Sequence, residues 1–233
     1  MMTARQSKLA LHEEIILLAL RDEEGTTETG SMYAYATGGA LLAELLLRDR
    51  IAVDGSRKKK LVNIVNAKPI SDPLVDECLT KIREAKKRAP VETWVSRFAG
   101  LKELKHRIAE RLCEQGILRA DRDKVLLIFA RRIYPEIDPT PEKELIGRLR
   151  EAIFTDTNHL DPRTLVLVSL ASSADLLKSV FDKKDLKGRR QRIEKIINGE
   201  VMGEATQQAI AAVQAALFVT CILPTILTTS TTR

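Results

Sequence analysis

The chain has 233 residues, 44% hydrophobic and 30% charged, with a formal net charge of +6. That balance excludes a disordered or fibrous chain and allows one sizeable core. Aromatic residues are only 4%, so the core must be aliphatic, and the cationic excess favours an anionic partner such as nucleic acid or a membrane face.

The first periodic segment, residues 11–21, sets Ile15, Ile16, Leu18 and Ala19 at helical spacing, and Gly25 closes it. The opening MMTARQSKLALHEE lacks the apolar run of a secretory signal. A loop, GTTETGSM, leads to a second helix over 33–50 with Leu41, Leu42, Leu45 and Leu46 on its apolar side. Two β-prone runs around Asp54-Gly55, within 51–65, predict a hairpin. Residues 73–88 predict a helix with a basic end, IREAKKR, and a short helix surrounds Trp94. An amphipathic helix over 101–115 is stopped by Gly116.

Next comes DKVLLIFARRIYPEIDP. Its apolar run Val125, Leu126, Leu127, Ile128 and Phe129 stands between Lys124 and the pair Arg131-Arg132. Such a run is either a buried strand or a segment that meets something both apolar and anionic. Its β-branched and aromatic content, with Pro135 limiting its continuation, predicts a protruding hairpin over 124–132 whose apolar run is partly exposed.

A helix over 140–154, which Pro141 can start, comes next. A helix pair in LDPRTLVLVSLASSADLLKSVF and a basic, solvated helix in DKKDLKGRRQRIEKIING follow it. Residues 209–227 carry no charge, which approaches the length of a membrane span. Gln214 and Thr220 interrupt that stretch and Pro224 sits near its end, so it reads as a buried final helix, with a tail anchor as the alternative. The expected fold is mainly α, a single-domain helical bundle with a small protruding β-hairpin.

The chemistry-bearing residues point away from catalysis. Cys78, Cys113 and Cys221 lie far apart and outside any CxxC pattern, as expected of thiols in a reducing compartment. His12, His106 and His159 have no ligand partners at metal spacing. No phosphate-binding loop, nucleophile elbow or dinucleotide fingerprint occurs. Glu13 and Glu14 read as a solvated face or a buried ion pair. No catalytic residue, metal or cofactor is expected. Cations gather in RKKK at 57–60, KIREAKKR at 81–88, LKELKHR at 101–107 and ARR at 130–132. In LKELKHR, Lys102 and Lys105 are three apart, which on a helix puts both on one face, able to grip one phosphate.

The order and spacing of LHEEIILLALRDEEG, LLAELLLRDRIAV, LKELKHRIAERLCEQGIL, VLLIFARRIYP and LVLVSLASSADLLKSVF resemble the Golgi phosphoprotein 3 family, which includes a yeast vacuolar sorting homologue and many bacterial relatives. The resemblance covers about residues 9–223, leaving a short arm at 1–8 and a tail at 224–233. It implies a cytoplasmic, peripheral membrane protein, on the cytosolic face of the Golgi in a eukaryote. It implies binding to phosphatidylinositol 4-phosphate on an anionic phospholipid surface, and capture of the cytoplasmic tails of membrane enzymes. It further implies a hairpin that dips into the bilayer through Val125, Leu126, Leu127, Ile128 and Phe129 and can form a homo-oligomer.

By the same resemblance, the basic pair of the family's lipid pocket maps onto Lys102 and Lys105. The pocket's tryptophan falls near Thr29 or Gly30, where Tyr33 is the nearest aromatic, and its arginine falls at Gly38. These departures look like a bacterial relative. The candidate headgroup residues are therefore Lys102, Lys105, Tyr33, Arg131 and Arg132. The alternative is a protein-interaction or oligomerisation module without lipid selectivity. Nucleic acid is not expected as a partner, since recognition motifs and stacking aromatics are lacking.

Overall fold

The computed structural model describes residues 9–20, 32–54, 60–125, 129–157 and 160–201. Within them the chain runs α1 (Leu11–Ala19), α2 (Met32–Leu47), β1 (Ile51–Asp54), β2 (Leu61–Ile64), α3 (Pro73–Arg83), α4 (Val91–Ala99), α5 (Leu104–Glu114), β3 (Asp121–Val125), β4 (Phe129–Ile133), α6 (Thr140–Phe154), α7 (Pro162–Ser173), α8 (Leu177–Val180), α9 (Lys183–Gly188) and α10 (Arg190–Ile197). The mainly helical bundle with a small β-hairpin is thus observed, and a second two-stranded sheet, β1–β2, accompanies β3–β4.

The bundle is organised around α1. Every residue of this helix is buried, including His12, Glu13 and Glu14, and α2, α5, α6, α7 and α8 all touch it. Buried carboxylates must be paired, and these are. Glu13 accepts from the Ala10 backbone N–H at 2.8 Å, from Arg111 at 2.9 Å and from Gln115 at 2.8 Å. Glu14 accepts from Arg148 at 2.6 Å. Glu44 of α2 accepts from the Leu11 backbone N–H at 2.7 Å and pairs with Arg163 at 2.8 Å. Of the two readings of Glu13 and Glu14, the buried ion pair is the one realised.

His12 has no such provision. Both ring nitrogens are buried without a hydrogen-bond partner, and Asp72 Oδ2 stands 3.7 Å from Nε2, beyond hydrogen-bond length. Burial holds its imidazole below the ordinary 6.5, although the nearby carboxylates of Asp72, Glu13 and Glu44 oppose that and Arg111 assists it. The unfolded chain therefore binds a proton that the folded chain resists. Stability is full above about pH 6.5 and is lost as the pH falls toward the folded value. The melting temperature is expected to drop between about pH 7.5 and about pH 5.5, and His12→Phe should flatten that slope. A wild-type curve that is flat or rises on acidification over this window would show that the ring protonates freely.

Several boundaries follow local chemistry. Asp72 caps α3, its Oδ1 accepting from the Leu74 and Val75 backbones at 3.1 Å, with Pro73 in the first turn. Asp161 and Pro162 open α7 in the same way. Gly116, at φ +74°, takes the left-handed conformation that ends α5. The predicted helix over 140–154 is found with those bounds, and the 51–65 pair forms with Ile51 opposite Ile64 and Asp54 opposite Leu61.

Elsewhere the structure differs from the sequence reading. The helix expected to start at Leu101 starts at Leu104, because Glu103 adopts φ +55° and breaks the turn. The single solvated helix expected over DKKDLKGRRQRIEKIING is two helices, separated at Arg189. Its cations are not all solvated. Arg189 donates to the Phe154 carbonyl at 2.6 Å, and Arg192 to the carbonyls of Ala152, at 3.2 Å, and Thr157. Both thereby meet the carbonyl-rich end of α6. The expected final helix over 209–227, Cys221 and His159 lie outside the described residues. Among the described residues no helix is long and apolar enough to cross a membrane.

Candidate functional site

The β3–β4 ribbon grows from a fixed root. Val125 pairs with Phe129, Asp123 with Arg131 and Asp121 with Ile133. Below the ribbon, the Arg119 N–H donates to the Pro135 carbonyl and the Ile137 N–H to the Ile117 carbonyl, each at 2.9 Å. Tyr134 is buried, and its hydroxyl meets Nδ1 of His106 on α5 at 2.9 Å. Burial lowers the His106 pKa, and the adjacent Lys105 lowers it further. Arg132 fastens the ribbon to the same helix, pairing with Glu103 and, at 3.4 Å, with Glu110.

Lys102 and Lys105 flank this anchor. Lys102 is exposed in the turn before α5, and Lys105, half-buried, is the second residue of the helix. They do not share a helix face, since the helix begins between them. Glu103 separates them in sequence and brings Arg132 to the same segment. Tyr33 is half-buried in the first turn of α2, and its carbonyl accepts from the Thr37 hydroxyl at 2.8 Å. Arg131 and the apolar residues Val125 and Phe129 enter the pairing register only as backbone, and Leu126, Leu127 and Ile128 lie outside the described residues.

At Gly38 the structure gives a reason for the missing cation. A Cβ added there would stand 2.5 Å from the Val95 carbonyl and 2.8 Å from the Ala99 nitrogen. Those atoms belong to the backbone of α4, which packs on α2 at this point, so no side chain fits at 38. The family's arginine, by resemblance placed at this position, has no room here.

Sequence reasoning missed a cavity beside Lys102. It has a volume of about 570 Å³ and lies between the end of α3, α4 and the start of α5. Lys81, Arg97, Lys102 and Arg107 line it, opposed by Glu77 and Glu84. Arg97 lies over the Trp94 ring at 4.7 Å. A hint was present in the sequence, since Trp94 is the one tryptophan of the chain and Arg97 follows it by one helical turn.

These features define a class, a helical scaffold whose core carboxylates are paired internally and whose ribbon and cation-lined cavity lie outside that pairing. The model of the family Golgi phosphoprotein 3 (GPP34) matches residues 11–213. The chain belongs to that family. It is also similar to vacuolar protein sorting-associated protein 74 of Eremothecium gossypii, at 28% identity over 218 residues. That match covers 79% of this chain and 65% of the relative, so the chain spans less than two thirds of that protein's length.

Proposed function

We propose that this protein is a peripheral membrane protein that docks on an anionic phospholipid surface and acts there as an adaptor in the sorting or retention of membrane proteins. The surface is one displaying phosphatidylinositol 4-phosphate where a Golgi membrane supplies it. The observation that carries the reading is the anchored ribbon. A two-stranded hairpin with an apolar connection in its sequence is pinned through Arg132 to the segment that carries Lys102 and Lys105. Shallow apolar insertion combined with nearby cations is the two-signal arrangement that reversible membrane binding requires. The name of the yeast-type relative, a vacuolar protein sorting protein, supports the adaptor role. The second reading is a homo-oligomer formed through the hairpin. It draws support from the two-stranded sheet, to which no third strand is paired among the described residues.

Flotation with vesicles of phosphatidylcholine, with and without phosphatidylinositol 4-phosphate or phosphatidylserine, tests the first reading. Replacing Lys102 and Lys105 together with Ala should weaken binding by about 2 kcal/mol, on the order of thirtyfold. It should also flatten the salt dependence while the circular dichroism is unchanged. Undiminished binding of the double variant at low salt would reject the assignment of these lysines.

A further inference from the structure

We propose that the groove between the end of α7, α8, α9 and α10 is a docking site for an amphipathic helix of a partner protein, one that carries acidic residues along its flanks. The groove has a volume of about 470 Å³. Leu177, Leu186, Ile193 and Ile197 form its floor. Leu177 and Ile193 are buried, and Leu186 and Ile197 are half-buried. The cations at its rim, Lys178, Lys183, Lys187 and Arg190, are all exposed. The apolar side chains thus lie below the charges. A flat bilayer would meet the cations and leave the floor uncovered, whereas a single helix can enter and cover it. Apolar residues at i, i+3, i+4 and i+7 would give that helix the stripe such a floor accepts.

The acidic flanks follow from how the cations of this basic segment divide. Arg189 and Arg192 are held by carbonyls at the end of α6, so they serve the fold. Arg190 pairs with Glu194 at 2.8 Å, and Lys178 with Asp175 at 2.7 Å. Those two pairs occupy both carboxylates that line the groove. Lys183 and Lys187 line it as well, four apart and so on one face of α9. Neither has an ion pair among the described residues. Asp182 and Asp185 of the same segment line the neighbouring cavity, with Lys184. Two cations without an internal partner therefore border an apolar floor, and carboxylates on an entering helix would complement them. The groove uses no residue of the ribbon or of α5, so the inference goes beyond the membrane-surface reading and does not rest on it.

Fluorescence anisotropy of labelled synthetic helices of about 14 residues, titrated with full-length protein, tests the proposal. The panel carries leucines at i, i+3, i+7 or i, i+4, i+7, flanked by glutamates or by lysines. The glutamate-flanked helices should bind saturably, about tenfold or more tighter than their lysine-flanked counterparts, and salt should weaken them. Lys183→Glu with Lys187→Glu should raise the Kd about tenfold or more. Lys143→Glu with Lys195→Glu makes the same change of charge at exposed sites outside the groove and should leave the Kd within about twofold. Leu186→Gln, at a half-buried floor position, should weaken every helix of the panel, with circular dichroism reporting that the fold is kept. A flat titration across the panel overturns the site, as does indifference to the sign of the flanks or to the Lys183 and Lys187 pair. Flotation with phosphatidylserine vesicles supplies the other arm. If the Lys183 and Lys187 variant loses flotation while helix binding is unmoved, those cations serve a membrane and the proposal fails. Loss of flotation by the wild-type protein, with the helix titration intact, would count against the membrane reading alone.

Discussion

Replacing Arg163 with Met should destabilise the domain by about 3–5 kcal/mol, the usual cost of removing one member of a buried ionic cluster. Arg163 is 14% exposed and pairs with Glu44 at 2.8 Å, and it approaches Glu14 at 3.8 Å. It also donates to the Leu9 carbonyl at 2.6 Å. Methionine fills similar space but leaves two carboxylates with fewer countercharges. Urea denaturation should show a lower midpoint with an unchanged slope. The deficit should also depend on pH. Burial already raises the Glu14 pKa above 4.5, and Arg163 is the foremost charge opposing that rise. Without Arg163 the folded pKa climbs further. A raised carboxyl pKa favours folding below the unfolded value and loses that contribution as pH rises through the folded one. The variant should therefore recover stability toward about pH 4.5. A loss under about 1 kcal/mol at neutral pH would mean that solvent reaches Glu14 and Glu44 and that the cluster behaves as a surface one.

Leu127→Asp should leave melting nearly intact and reduce vesicle binding by about 3 kcal/mol, on the order of a hundredfold. If the segment inserts as proposed, the change removes one apolar contact and places a negative charge against an anionic surface. A residue in the core would behave oppositely, since a buried aspartate there costs several kcal/mol of stability. Substituting Val125, Leu126, Leu127, Ile128 and Phe129 singly extends the test. Alternate strand residues face opposite ways, so stability losses at one parity and binding losses at the other fit an anchored, inserted ribbon. Unfolding in all five variants would leave an ordinary buried strand and remove the membrane reading of this segment.

Where one residue's chemistry sets a boundary, the sequence sufficed. Asp72-Pro73, Asp161-Pro162 and Gly116 each act within a turn of themselves, and the elements they punctuate were legible. The start of α5 was not, because the positive φ at Glu103 belongs to a residue type that does not announce it. The charges of Glu13 and Glu14 were visible as well, but their partners lie 98 and 134 residues away, and no local spacing encodes such pairs. Of the site, the basic segment 101–107 was legible. The cavity was not, since Lys81, Arg97 and Lys102 meet only when three helices pack.

The burial of α1 also bears on synthesis. A ribosome must add 134 residues after Glu14 to supply Arg148, and Leu9 waits 154 residues for Arg163. At about 5–20 residues per second, that is a delay of roughly 7–30 s. During that time a helix destined for the centre of the fold lacks the cover of α6 and α7, and Glu14 lacks its countercharges. Nascent chains released before α7 should therefore be protease-sensitive and bound by chaperones, and protection should arrive abruptly rather than helix by helix.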